Sequence, residues 1–438
     1  MFQFLSWAIL AAIAIAIWYA YAGSRDVFHP LMFLGPMMIF MYVWMPLKLD
    51  AIGGLDGFFQ RDQLNFVQGL NLSGVLCFLL GCLSQGCRLP ARRAEPEFDG
   101  AVMTMAGAVV GLIGLAAWAY TIANVGGFTE AFGKSYAGGW DDNGYIRDAS
   151  LLMFPAFLLI LAPGTRCGFG VVKIALLALF LAPWTVQAAF TARRGPTFMI
   201  AMIAALGWYL NRRKRPPLAL MAVAGGGLGF LMLFLVANRG AIYLGSDKDL
   251  TTDVGNMVEK PDTGNEFIYG TGTVLSAEQR NSFYWGRRYL AQVIVRPIPH
   301  TIWPTKYEDF GLPELNHNAG TGEGFEETLG WSGAEGSAPG MIADLWVEFW
   351  WLNLPALFLT GMFYAYAWRR ANIDGGPWVA QYVILSALSI YFVMQTMEAV
   401  IFRLLILSLP VRLAWRAASK EPRAAGYPFP RRMVSAEE

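Results

Sequence analysis

The sequence predicts an all-α, polytopic membrane protein with about eleven transmembrane helices and a large extracytoplasmic loop containing an amphipathic helix. Three observations carry that expectation. Apolar residues make up 55% of the 438 and charged residues only 15%, against roughly 45–50% and about 25% in soluble domains. The apolar residues gather into repeated runs near the ~20 residues that a membrane helix needs. The scarce basic residues cluster between those runs, mostly on one side. With 33 basic against 32 acidic residues, the chain lacks the basic excess of a nucleic-acid binder, and no nucleic-acid partner is expected. Its expected surroundings are membrane lipids.

In chain order the runs cover 2–21, 31–47, 66–84, 101–122, 145–162, 171–190, 197–210, 218–236, 344–368, 379–393 and 397–415. The first has no basic region before it and no small-residue cleavage pattern after it, so it reads as a retained helix and not a signal peptide. The runs at 145–162, 197–210 and 397–415 are short or carry charges, which suits tilted or half-length helices. The expected organisation is therefore eight helices with short loops over 1–236, an outer loop over 237–343, helices nine to eleven over 344–418, and a tail over 419–438. Cys77, Cys82, Cys87 and Cys167 lie in or beside apolar runs and read as small core residues, not a disulfide framework.

Orientation follows from the short loops. Arg88, Arg92 and Arg93 follow the third run, Arg212, Arg213, Lys214 and Arg215 the seventh, and Arg369 and Arg370 the ninth. The tail adds Arg416, Lys420, Arg423, Arg431 and Arg432. Eleven crossings put all four clusters on one side, which the positive-inside bias makes cytoplasmic. The amino terminus is then outside, and so are the loop 123–144 and the region 237–343, which carries more acidic than basic residues.

Two arginines break that pattern. Arg193 and Arg194, in "TARRGPT", face outward in this topology. Headgroup anchoring by snorkelling is the bland explanation; the functional one is an anion site at the membrane boundary. Arginine forks hold phosphate oxygens bidentately, and Pro196 suits the first turn of a helix whose amino terminus adds its dipole. Further on, "NSFYWGRRYLAQVIVRPIPHTIWPTK" reads as an amphipathic helix capped at Asn281 or Ser282. It would lie in the interface with Arg287, Arg288 and Arg296 at headgroup level. An extended segment follows, with His300, Trp303 and Lys306. The glycine-dense stretch "NHNAGTGEGFEETLGWSGAEG" presents His317, Asn318, Glu323 and Glu335. It lacks the phosphate-loop lysine and any EF-hand spacing, so neither a nucleotide nor a metal is expected. Asp344 and Glu348 are four apart and share one face at the outer end of the ninth run. Ionisable residues inside runs, Arg147, Asp148, Glu398 and Arg403, mark either structural pairing or a polar cavity open to the outside. His29 falls in a cytoplasmic loop and is assigned no role.

The motifs "GGFTEAF", "TARRGPTF", "RPIPHTIWPTKYEDFG" and "GSAPGMIADLWVEFWWLNLPALFLTG", in that order on this topology, resemble the bacterial O-antigen and oligosaccharide repeat-unit polymerases of the Wzy type over about residues 100–400. The outer loop holds no arginine at the R-x10-G spacing described for some members. The resemblance implies glycosyl transfer on the outer face of the bacterial inner membrane. A glycan leaves its polyprenyl pyrophosphate for a second lipid-linked repeat unit, without a cofactor and with room for a chain-length regulator as partner. It implies pyrophosphate binding by Arg193, Arg194, Arg287, Arg288 and Arg296, and a general base among His300, His317, Glu335 and Glu348. Trp303, Lys306, Tyr307 and Trp331 would contact sugar. An O-antigen ligase acting on a lipid A core shares these features, whereas a flippase would be expected to show inverted repeats and broken helices at matched positions.

Overall fold

The computed structural model describes residues 1–93, 96–134, 144–250, 263–298, 302–312, 315, 324–334 and 337–419. Among them the regular elements are all helices, with a single isolated bridge between Phe98 and Ser419 in place of any strand. Among these residues nine helical stretches are long and apolar enough to cross a membrane, as expected of a polytopic membrane protein, and one of them, Gly340–Ile373, is broken at Trp350.

The helices are α1 (Phe2–Ser24), α2 (Leu31–Ala51), α3 (Arg61–Ser84), α4 (Gly100–Asn124), α5 (Ile146–Cys167), α6 (Val171–Thr191), α7 (Arg194–Asn211) and α8 (Leu218–Ala237). After these come α9 (Glu266–Arg280), α10 (Arg287–Leu290), α11 (Gly340–Phe349), α12 (Asn353–Ile373), α13 (Pro377–Met394) and α14 (Met397–Ala418). Helices α7 and α14 have spanning length but are more polar or more charged than the nine.

Close helix contact rests on small residues, the device available where apolar burial drives nothing in lipid. A Cβ on Gly81 of α3 would stand 2.0 Å from the Phe358 carbonyl oxygen, and one on Gly361 of α12 would stand 2.2 Å from that of Phe78. Two groups of polar side chains inside the bundle tie helices together. The Gln68 amide donates to Ser6 Oγ (3.0 Å) and the Tyr42 carbonyl (2.8 Å), tying α1, α2 and α3 together. At the end where α1 finishes, buried Asp26 accepts from Arg215 (2.6 and 3.1 Å), Trp368 Nε1 (2.9 Å) and the Phe28 amide (3.0 Å). His29 is fully buried beside it, edge-on to Trp368, so the loop histidine set aside in the sequence is a core residue. Burial drives its imidazole pKa down to about 4, against a smaller upward pull from Asp26.

Three expectations need correction. The run at 344–368 is not one helix. Trp350 adopts φ 50°, ψ −133° and breaks it, and Ile342 and Leu357 both lie 3.0–3.1 Å from where a Cβ on Gly74 would sit. In a straight helix those two residues would be ~22 Å apart. Trp346 packs on Phe66 and Ile342 near Gly74, whereas Leu357 lies near Gly74 and Arg369 donates to the Gly86 carbonyl. Helix α11 therefore runs antiparallel to α3 and to α12, forming a helical hairpin whose first arm is buried from Gly340 to Glu348. Second, Asn281 does not open a helix. With φ 49° it closes α9, and only 287–295 is helical, ending in a wide π turn. Third, Arg288 and Tyr289 of that segment are buried, not spread over an interface.

Helix α9 is missing from the sequence reading. Asn265 caps it by accepting from the Phe267 amide (3.0 Å). Every residue from Phe267 to Ala277 is buried, and Gly270 lets the Pro339 carbonyl approach to within 2.4 Å of a Cβ position.

Candidate functional site

Ionisable groups from several segments meet at the end of the bundle that carries the Arg193–Arg194 turn. They form two adjoining sets, one closed by internal pairing and one open.

The closed set is centred on Arg288. Its Nη2 donates to Asp344 Oδ1 and its Nε to Glu348 Oε1, both at 2.5 Å, with all three side chains at 4% exposure or less. The second Asp344 oxygen accepts from Tyr289 Oη (2.6 Å) and the Met397 amide (2.8 Å), while Glu348 Oε2 accepts from the Gly286 amide (2.8 Å). Burial opposes the Arg288 charge, but the two carboxylates outweigh it and hold the guanidinium protonated well above its ordinary range. Every oxygen of both carboxylates is thus occupied. The node pins α10, the hairpin arm α11 and the start of α14 to one another.

Arg194 and Arg287 are similarly engaged. Arg194 pairs with Glu266 at the start of α9. Burial pushes that carboxyl up, yet the Arg194 charge and hydrogen bond leave it below its usual range. Arg287 donates to the Phe310 carbonyl at 2.6 Å. Lys306 Nζ donates to the Arg296 and Ile298 carbonyls (3.3 and 2.5 Å), ending the helical segment there. Burial first, and Arg296 second, lower its pKa. Tyr307 packs with Ala291, Val295 and Leu312. Trp303 donates to Asp309 Oδ2 at 2.6 Å. Trp331 is wedged among Phe58, Phe59 and Phe325, well placed as packing for α9. His300, His317 and Glu335, with Asn318 and Glu323, lie outside the described residues.

The open set surrounds Tyr391. Its hydroxyl stands in the field of Arg403, Arg193, Asp148 and Arg147. It also packs so closely on the arginine turn that a Cβ on Gly195 would lie 2.2 Å away. Arg296 joins through Asp148 (2.5 Å) and Gln292 (2.9 Å), with its guanidinium 5.0 Å above the Phe402 ring. Arg403 stacks over Tyr391 at 4.6 Å, and its one side-chain hydrogen bond among the described residues is a long one, 3.4 Å, to the Ala399 carbonyl. Glu398, half-buried in the first turn of α14, feels Arg288, Arg296 and Arg403 but forms no hydrogen bond or ion pair with a described residue. Its neighbours at this helix start are capped: Thr396 Oγ1 accepts from the Ala399 amide and Asp344 from that of Met397.

Of the arginines expected at an anion site, Arg193 and Arg296 reach the open set, while Arg194, Arg287 and Arg288 serve as ties. Arg147, Tyr391, Glu398 and Arg403 complete it. All but Tyr391 were visible as charges inside apolar runs; Tyr391 carries no such signal. Among the described residues, no group of three or more His, Cys, Asp or Glu side chains is placed to hold a metal ion. No family model, curated protein or solved structure matches this chain.

Proposed function

We propose that the protein is a membrane glycosyltransferase that polymerises polyprenyl-pyrophosphate-linked oligosaccharide repeat units. It would do so with eleven crossings of the bacterial inner membrane, a periplasmic amino terminus and a cytoplasmic carboxyl terminus. One observation carries the reading: Arg147, Arg193 and Arg403 converge around Tyr391, Arg296 reaches them through Asp148, and Glu398, which pairs with no described residue, stands beside Arg296 and Arg403 at the end of a membrane bundle. Ionisable residues within an apolar bundle are expensive, and function is the ordinary reason to retain several of them at one place.

The chemistry suits the arrangement. The hydroxyl oxygen of the acceptor sugar bonds to the anomeric carbon of the donor, the bond from that carbon to the pyrophosphate oxygen breaks, and the hydroxyl proton passes to Glu398. Guanidiniums already fixed in place stabilise the negative charge that grows on the leaving pyrophosphate. The carboxylate raises the nucleophilicity of a hydroxyl that is otherwise a poor nucleophile. Glu348, one of the four residues expected to supply the base, has both oxygens committed to Arg288 and Gly286. Glu398 is therefore the better proton acceptor.

Deletion of the protein followed by glycan electrophoresis tests the reading. A polymerase leaves single repeat units on the surface. Long lipid-linked chains that fail to reach a lipid A core would point to a ligase, and units held inside the cell to a flippase; either result rejects the proposal. Complementation with Arg403→Gln is expected to give no ladder at normal membrane levels of the protein.

A further inference from the structure

Beside the closed charge node lies a cleft of about 440 Å³ lined by Asn281, Ser282, Phe283, Trp285 and Trp350. Three of these five hold a left-handed backbone: Asn281 at φ 49°, Trp285 at φ 54° and Trp350 at φ 50°. They are half of the six non-glycine residues with positive φ among the described residues. Asn281 does so as the ordinary left-handed cap that closes α9, but tryptophan almost never adopts this region, and where it does the surroundings must impose it, most often at a functional site.

Here the surroundings do impose it. The Tyr284 and Trp285 amides donate to the Val347 and Glu348 carbonyls (3.0 and 2.6 Å), and the next amide, Gly286, donates to Glu348 Oε2. Trp350 is fixed through its indole N–H to Glu278 Oε1 at 3.2 Å. The rings stay open nonetheless: Trp285 is 56% exposed and Trp350 41%. Phe283 lies between them, 6.3 Å from Trp285 and 5.9 Å from Trp350 by ring centroids. The amide of Asn281 and the hydroxyl of Ser282, both exposed, complete the lining.

We propose that this cleft is a saccharide-binding subsite that holds one pyranose ring of the glycan being extended. The glycan as occupant rests on the glycan-joining reading above. A pyranose has apolar C–H faces and an equatorial belt of hydroxyls. Rigid, offset aromatic faces take the former and a few placed amides and hydroxyls the latter, as small-molecule sites generally divide their lining. A tryptophan belt at a membrane boundary is the competing explanation, but a belt needs neither strained backbone nor a concavity. Its indole N–H groups would face headgroups, whereas that of Trp350 is bound to Glu278. The cleft is tied to the closed charge node, since Trp285 and Gly286 lead directly into Arg288 and the Gly286 amide donates to Glu348.

The test is equilibrium dialysis of the protein in lipid nanodiscs. The probe is the end-labelled, lipid-free polysaccharide released by mild acid from the cells that make this protein. Saturable binding is expected, weakened at least tenfold by Trp285→Leu and by Trp350→Leu and restored by phenylalanine at either position. Asn281→Gly, which relaxes the backbone and so does not endanger folding, is expected to weaken binding about threefold or more by removing the amide. No saturable binding, or equal binding by the parent and both leucine variants, overturns the proposal. So does quenching of Trp285 and Trp350 by headgroup-brominated lipid that bound glycan does not relieve. Binding through these rings in a protein that joins no units would keep the subsite and sink the polymerase reading. Joining with unchanged chain length in both leucine variants would do the reverse.

Discussion

Replacing Arg288 with methionine keeps the bulk of the side chain and removes its charge. Asp344 and Glu348, each at 0% exposure, then face one another without the guanidinium that now binds both. Removing one partner of a buried ion pair costs about 3–5 kcal/mol, because a charge is stranded in a poorly solvated site. At about one degree per kcal/mol for a chain of this length, this lowers the thermal midpoint by about 3–6 °C. Unfolding of such a protein is irreversible, so variants are compared at one heating rate, by the fraction still monodisperse after heating in detergent. The triple variant Arg288→Met, Asp344→Asn, Glu348→Gln removes the charges together and is expected to recover most of the loss. The account of Arg288 as a structural tie fails if Arg288→Met melts normally yet abolishes glycan joining. That result would return Arg288 to the pyrophosphate.

Other parts of the molecule yield further outcomes. His29 has a folded-state pKa of about 4 against about 6.5 in an unfolded chain. The unfolded state therefore binds the extra proton between those values, and stability is lost as the pH falls from 6.5 to 4, by about 3 kcal/mol in all. Melting curves across that window should show the loss, and His29→Asn should flatten it; an unchanged slope in the variant contradicts the assignment. Gly81→Ala forces a methyl group against the Phe358 carbonyl. Overpacking of this kind costs about 1–3 kcal/mol, and a melting point within a degree of the parent's would show that α3 and α12 are not so tightly joined. Arg403→Gln should lower kcat about 10²–10³-fold with a smaller change in KM, as for loss of a group that acts on transition-state charge. A pure KM effect would make Arg403 a ground-state binding group.

The membrane class and the helix positions were legible because apolar runs of spanning length leave few alternatives. Charge inside such runs also pointed correctly to where the polar cluster lies: Arg147, Asp148, Glu398 and Arg403 all meet there. What the sequence hid depends on local competition. The run at 344–368 stays apolar through Trp350, Trp351 and Leu352, so hydropathy sees one helix where backbone geometry makes a hairpin. Helix α9 carries Gly270, Gly272 and two threonines, and its burial comes from Phe2, Phe325 and Trp331, distant in sequence. Nor could it be read that Arg194 pairs with Glu266 while its neighbour Arg193 stands beside Tyr391, since both partners are distant in sequence.

The central claim is that the arginine cluster and Glu398 together perform glycan transfer, and one measurement reaches it most directly. Purified protein in proteoliposomes is supplied with lipid-linked repeat units, and joined product and released polyprenyl pyrophosphate are counted in the same reaction. The account predicts equal amounts of new linkage and released pyrophosphate lipid from the parent protein. Glu398→Gln should slow both about 10²–10⁴-fold, the range for loss of a general base, at unchanged thermal stability. Joining at close to the parental rate by Glu398→Gln, or no joining by the parent protein, would contradict it.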